Sequence, residues 1–289
     1  MSGALTTRRG RVRIISSAFQ LMCLAATLVC VSALVFLIWN IVSDGVAWLS
    51  WDFLTSFPSR HADQAGIKSA LAGSLWLAGL TALISLPVGI GAAVYLEEYA
   101  SASLWKKVVQ INIANLAGVP SIVYGILGLG LFVQGMAMGR SVIAGALTLS
   151  LVVLPIIILA TQEALRAIPD SIRHGSYALG ATKWQTVRRQ VLPAALPGIM
   201  TGVIIAMSRA IGEAAPLIAV GAMAYVPFVP SGPADQFTAL PIQIFNWAAR
   251  PQAEFHNVAA AAIIVLLVVL VCMNALAVFA RHRYGNRSR

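Results

Sequence analysis

The sequence predicts an all-α membrane protein with six membrane-spanning helices and both termini cytoplasmic. Three observations predict it. The chain of 289 residues is 59% hydrophobic and only 10% charged, where a soluble domain carries about 25% charged residues. Six uncharged runs each meet or approach the roughly 20 apolar residues that cross a bilayer core. Lys and Arg crowd the segments on one side, which marks that side as cytoplasmic.

The first run, Ile14–Ser43, is longer than the roughly 7–15-residue core of a signal peptide and is expected to be retained. Ser69–Leu96, Val108–Gly139 and Ser141–Gln162 follow, then Gln190–Ser208 continuing towards Ala234, and finally Val258–Ala280. With the N-terminus inside, the inner segments hold Arg8, Arg9, Arg11 and Arg13, then Lys106 and Lys107. They also hold five cations in Thr161–Pro197 and Arg281, Arg283, Arg287 and Arg289 at the end, 15 of the 20 basic residues. The outer segments hold Arg60, Lys68, Arg140 and Arg250, and Arg209 is left inside a run. The net charge of +10 is therefore a topology signal. Its cations are scattered over four short juxtamembrane segments, which argues against nucleic-acid binding. The organisation expected is a basic N-terminus over 1–13, one transmembrane domain over 14–281 with a cytoplasmic loop over 161–197, and a basic tail over 282–289.

The first and last runs contain no Gly and no Pro, whereas the middle four carry many of both. Small residues let membrane helices approach closely, and proline is tolerated at depth where neighbours satisfy the freed carbonyl. Runs two to five are expected to form the inner bundle, with one and six outside it. Cys23, Cys30 and Cys272 lie in apolar runs without metal or disulfide spacing and read as small buried hydrophobes. In the outer loops Trp48, Trp51 and Trp247 are placed like interfacial anchors. Leu240–Ala249 reads as a short amphipathic helix on the outer surface.

Thr161–Pro197 is unlike the rest, with Arg166, Arg173, Lys183, Arg188 and Arg189 in one loop. Pro169-Asp170-Ser171 is a helix start, with Asp or Ser accepting from an early N–H. Gly180 can take the left-handed conformation that ends that helix. Thr182-Lys183-Trp184-Gln185 fits a capping box opening a second helix through Val191, and Pro193 and Pro197 are expected to close the segment. Tyr177, Ala178, Leu179, Gly180 and Ala181 lie at the bend. A basic amphipathic loop on an acidic leaflet reads similarly. A docking role is favoured because the chain carries no engine: no lysine sits in a G-x-x-x-x-G-K-[ST] phosphate loop. No acid–base or metal spacing supports a membrane-embedded transferase either.

Gly180 with Leu192-Pro193, between the fourth and fifth runs, resembles the cytoplasmic signature loop of ABC-importer permeases. More specifically, Gly118–Gly125, Glu163–Pro169, Ala178–Trp184, Leu192–Gly198, Arg209–Pro216 and Leu240–Trp247 resemble the phosphate-importer permeases of the PstA type. The likeness runs from about Phe53 to the C-terminus. It implies a type I ABC-importer permease bundle that translocates inorganic phosphate. It also implies a second permease subunit, two ABC ATPase subunits and an external phosphate-binding protein. No cofactor would sit on this chain, ATP and Mg being held by the ATPases. Two departures stand out: His174-Gly175-Ser176 replaces the family's Glu-Ala-Ala, and Gln190 replaces its Ile. The alternatives are the partner (PstC-type) permease, a permease for sulfate or molybdate, and a secondary transporter.

Arg209 and Glu213 share one face of an apolar helix at i, i+4. Unpaired intramembrane charge costs about 2.5–3.5 kcal/mol even on the lenient insertion scale. The pair is expected to face the bundle interior or a water-filled path, either as a structural lock or as a substrate site. The resemblance favours the site, since this Arg and Glu recur in phosphate-importer permeases. Pro120 and Pro216 are the hinge candidates.

Overall fold

The computed structural model describes residues 3–222 and 225–285, with side chains described for 16–222, 225–279 and 281. The terminal cations Arg8, Arg9, Arg11, Arg13, Arg283, Arg287 and Arg289 therefore lie outside the described side chains. Among the described residues five helices are long and apolar enough to cross a membrane, and a sharply bent pair brings the number to six when taken as one span.

The first helix, α1 (Gly3–Gly45), packs chiefly on the last one. After a long outer segment that carries the short helix Trp51–Thr55, α2 (Lys68–Val94) runs through Pro87 and ends in a π-helical turn, Tyr95–Tyr99. The third run is not one straight span. It splits into α3 (Leu104–Ala117) and α4 (Ser121–Gly128, prolonged by a π-helical stretch Leu129–Gly135), bent by 102°. Pro120 sits at the break with extended backbone, φ −56° and ψ 134°. It has no N–H to offer α3, and its ring disfavours a helical residue before it. The Tyr124 hydroxyl donates to the Leu116 carbonyl at 2.8 Å, pinning the bend by adding a second donor to a helix-end acceptor that the Val119 amide also reaches at 3.1 Å.

Next, α5 (Val142–Arg166) is the central element, packed against α2 on one side and the fifth span on the other. Its first N–H groups are satisfied by the outer loop: Val142 donates to Asp235 O at 2.9 Å and Ile143 to Pro233 O at 2.8 Å. The cytoplasmic loop holds α6 (Asp170–Ala178) and α7 (Lys183–Thr186). A π-helical turn, Val187–Val191, joins α7 directly to α8 (Leu192–Gly212), which is followed by the short α9 (Ala215–Val220). Gly202 lies so close to Ala160 of α5 that a Cβ has no room, the close approach expected of small residues in lipid. Then come α10 (Leu240–Ala248) and α11 (Ala253–Gly285).

The expected division into inner and outer helices holds in part: 67% of the apolar window of α5, 39% of that of the fifth span and 28% of that of α2 are buried, against 0% for the first span and 6% for the last. The third run was also expected inside, but its α3 buries none of its residues. Three expectations are corrected. Cys23, Cys30 and Cys272 are exposed; they face outward from lipid-facing helices, so they are hydrophobes in lipid rather than in the protein core. Trp247 is not an interfacial anchor but fully buried, its ring 6.1 Å from that of Phe53. Accordingly α10 is no surface helix: Leu240 and Trp247 are wedged between α2 and α11, and Ile242 is buried in a cluster with Leu77 of α2 and Val142 and Leu149 of α5. Trp51 is exposed, as an interfacial residue should be.

Candidate functional site

Two regions carry the sequence's candidate residues, the cytoplasmic loop and the break after α8. In the loop, the chain leaves α6 by a two-bond glycine cap. Gly180 has φ +79°, Ala181 N–H donates to Ser176 O at 3.2 Å, and Gly180 N–H donates to Tyr177 O at 2.9 Å. This is a Schellman closure, which needs a left-handed residue at its centre. The capping box then forms in both directions: Gln185 N–H donates to Thr182 Oγ1 at 3.3 Å and Thr182 N–H to Gln185 Oε1 at 2.9 Å. Ser176 and Thr186 hydroxyls meet at 2.9 Å across the turn.

Two details of the loop differ from the sequence reading. Neither Asp170 nor Ser171 caps α6; Asp170 turns instead to Arg173, Oδ1 3.2 Å from Nη1. Pro193 and Pro197 do not close the segment either. The chain from Lys183 to Gly212 is one continuous span, because the wide turn Val187–Val191 opens the backbone just ahead of Pro193. That relieves the clash between a proline ring and the carbonyl four residues back.

Tyr177, Ala178, Leu179 and Gly180 are exposed at the tip, Leu179 by 90%, while Ala181 is half-buried. Leu179 and Gly180 border an open groove of about 500 Å³ lined also by Ile172, Gly175, Gln185 and Arg189. Leu192 is elsewhere, half-buried against Leu165, Val191 and Ala195, and Pro193 is exposed on the first turn of α8. The structure therefore separates the signature loop into a presented tip and an anchoring base.

Glu97 and Glu98 are functional candidates that the sequence reading passed over. Both project from the π-helical turn that ends α2. Glu97 Oε1 accepts from Arg166 Nη2 at 2.6 Å and from Gln162 Nε2 at 2.9 Å, both on α5. Glu98 Oε1 accepts from Arg173 Nη2 at 2.7 Å, and Arg173 also donates to the carbonyls of Leu165 and Ile168. The hydrogen bond that Arg173 donates to Glu98, and then the charge of that carboxylate, hold the Arg173 guanidinium above its ordinary pKa. The one sequence signal was two adjacent acids on the cation-rich side of the membrane.

At the second region, α8 stops at Glu213, whose backbone turns extended (φ −80°, ψ 112°), and α9 restarts with Pro216 in its first turn. The break thus precedes Pro216, where the missing N–H is harmless. Arg209 Nε donates to Glu213 Oε1 at 3.0 Å, with the two side chains 46% and 18% exposed. Among the described residues Glu213 is the only polar partner of Arg209, so the terminal Nη edge of the fork is open. The pair is not enclosed by this chain's own bundle; Arg209 opens outward beside the break. Gly125 of α4 lies against Pro216, where a Cβ would sit 2.7 Å from its Cα and carbonyl oxygen. The two proline-marked breaks therefore pack together through α4 and α9.

Residues 85–285 match the family described as binding-protein-dependent transport system inner membrane components. The chain belongs to this family. Permeases of this kind are multi-pass inner-membrane proteins, in keeping with the apolar spans. The chain is 33% identical to phosphate transport system permease protein PstA 1 of Mycobacterium tuberculosis (strain ATCC 25618 / H37Rv), over 99% of this chain and 92% of that one. It is 38% identical to the probable ABC transporter permease protein YqgI of Bacillus subtilis (strain 168), over 62% of this chain and 60% of that protein. Among solved structures, a permease of a bacterial alginate ABC transporter superposes with a TM-score of 0.64 at 17% identity, covering 89% of this chain and 95% of that one. That likeness shows the fold, a type I ABC-importer permease bundle.

Proposed function

We propose that this chain is a permease subunit of an ATP-driven importer of inorganic phosphate. It works beside a second permease, with two ABC ATPase subunits on the cytoplasmic face and an external phosphate-binding protein. The chain itself catalyses nothing and holds no cofactor; ATP and Mg belong to the ATPases. The observation that carries the reading is the half-open fork of Arg209, held on one edge by Glu213 and free on the other. A guanidinium matches a tetrahedral oxyanion bidentately and stays charged at any physiological pH. Glu213 fixes its direction and weakens its hold on an anion, which a conduction site requires. Because Arg209 faces outward from this chain's bundle, the path runs between the two permeases, beside the α8–α9 break. The near full-length likeness to a phosphate permease supports phosphate over sulfate or molybdate.

The exposed tip Tyr177–Gly180 docks the ATPase, and ATP binding there reorients the bundle by favouring one of two states. Arg209→Gln removes the fixed charge: phosphate uptake is lost while the complex assembles and hydrolyses ATP. Normal uptake by this variant refutes the anion role. Uptake that persists without the ATPase and collapses with a protonophore points to a secondary transporter.

A further inference from the structure

Helix α6, which presents the docking tip, buries none of its own residues. Apolar packing therefore does not hold it to the bundle; polar contacts do. One joins Ser176 to Thr186 of α7; the other joins Arg173 to the π-helical turn Tyr95–Tyr99, three consecutive residues of which bind neighbouring elements. Glu97 binds Arg166 at the end of α5, Glu98 binds Arg173 on α6, and the Tyr99 ring lies 5.2 Å beneath the Lys183 ammonium at the start of α7. Each link reaches a different element. π-Helical turns are uncommon and cluster at functional sites.

The Glu98–Arg173 link is the least exposed, with side chains 5% and 15% accessible, against 13% and 47% for Glu97–Arg166. Arg173 does more than pair with an acid. Its Nη2 reaches Glu98 Oε1 at 2.7 Å and Leu165 O at 3.1 Å, and its Nη1 reaches Ile168 O at 2.9 Å. Leu165 lies in the last turn of α5, where helix carbonyls have no intrahelical partner. One guanidinium thus ties α6 to the ends of both α2 and α5. Apolar faces can slide over one another; a planar fork held by a carboxylate and two carbonyls fixes position and orientation together.

We propose that the turn Tyr95–Tyr99 is the junction through which displacement of the docking loop enters α2 and α5. Glu98 and Arg173 are its positioning residues. A push on Leu179 is borne by Arg173 and passed to two core helices at once, so that α2 and α5 move with α6 rather than letting it swing. The Glu97 and Lys183 links steady the same turn but are more exposed and contribute less. This rests on the ATPase-docking reading above.

The test uses the complete importer in proteoliposomes, comparing wild type, Glu98→Gln, the double variant Glu98→Gln/Arg173→Gln and Arg166→Gln. The double variant leaves neither charge unpaired, so it separates transmission from misfolding. Bound ATPase, ATP hydrolysis and phosphate uptake are measured together. With ATPase still bound, uptake per ATP is expected to fall about tenfold in both Glu98 variants, within the usual span of coupling between sites, and about twofold in Arg166→Gln. Hydrogen exchange on binding a non-hydrolysable ATP analogue supplies a readout independent of the transported ion. Amides of Tyr95–Tyr99 respond together with those of α6 in wild type, whereas α6 responds alone in the double variant. Unchanged uptake per ATP, a coupled exchange response in the double variant, or loss of the ATPase from it each overturns the proposal. Wild-type complex that couples in exchange but does not move phosphate sinks the substrate assignment and leaves the junction standing.

Discussion

Gly180 is where the tip of the cytoplasmic loop depends on a single residue, and two glycines of one loop allow the dependence to be measured with opposite signs. Gly180 has φ +79° and nothing within 4 Å of an added Cβ, so Gly180→Ala changes backbone energetics alone. The left-handed conformation costs an L-residue about 1–2 kcal/mol, and the stiffer unfolded chain returns about 0.4–1 kcal/mol of that. The net is about 1 kcal/mol against the closed tip, roughly a fivefold shift in its population. Gly175 also has free space at its Cβ but lies within α6, so Gly175→Ala stabilises the helix by about 0.5–1 kcal/mol. Gly180→Asn falls between, since Asn tolerates the left-handed region. The reporter is the amide of Ala181, which donates to Ser176 O in the closure. Its hydrogen exchange quickens about fivefold in Gly180→Ala and slows in Gly175→Ala, by the same arithmetic. Equal Ala181 protection in wild type and Gly180→Ala would show that the glycine cap does not set the tip.

Three further outcomes follow from the geometry. Leu179→Asp, at a side chain 90% exposed, leaves folding within about 0.5 kcal/mol but weakens ATPase binding by about 30-fold if Leu179 anchors the contact, read by titrating ATPase onto permease in nanodiscs. Tyr124→Phe deletes the bond to the Leu116 carbonyl, costing about 1 kcal/mol and lowering the thermal midpoint by a few degrees. The third concerns pH. Hydrogen bonds from the Ser231 hydroxyl first, then from the Ser231 and Gly232 amides, hold the Asp235 carboxyl below its ordinary value. A depressed folded pKa means that this support is present above the unfolded pKa and lost as pH falls through the folded one. Protection of the Val142 and Ile143 amides, which the same loop caps, measured relative to their intrinsic exchange rates, therefore drops at acid pH below the usual carboxylate range, and Asp235→Asn removes that step.

Much of the architecture could be read locally. Apolar length and cation placement located the spans, and the capping box and turn glycine located the loop, because each signal lies within a few residues of what it specifies. The unread parts depend on partners far away in the chain. Glu97 and Glu98 find their arginines 69 and 75 residues on, and nothing near the acids indicates which cation lies opposite. The 102° bend was hidden because an uncharged run has the same hydropathy whether straight or folded at Pro120. Trp247 reads equally as an interfacial ring or as a core ring until Phe53 is known to lie beside it. Pro193 and Pro197 looked like stops because a preceding π-helical turn, which lets the helix continue, has no sequence signature of its own.

The most direct measurement is uptake of radiolabelled phosphate by proteoliposomes holding the complete importer, with ATP on the ATPase side and the loaded binding protein on the other. The account predicts uptake that requires ATP, resists a protonophore, is not displaced by excess sulfate or molybdate, and disappears with Arg209→Gln. Uptake driven without ATP, or preference for another oxyanion, would contradict it.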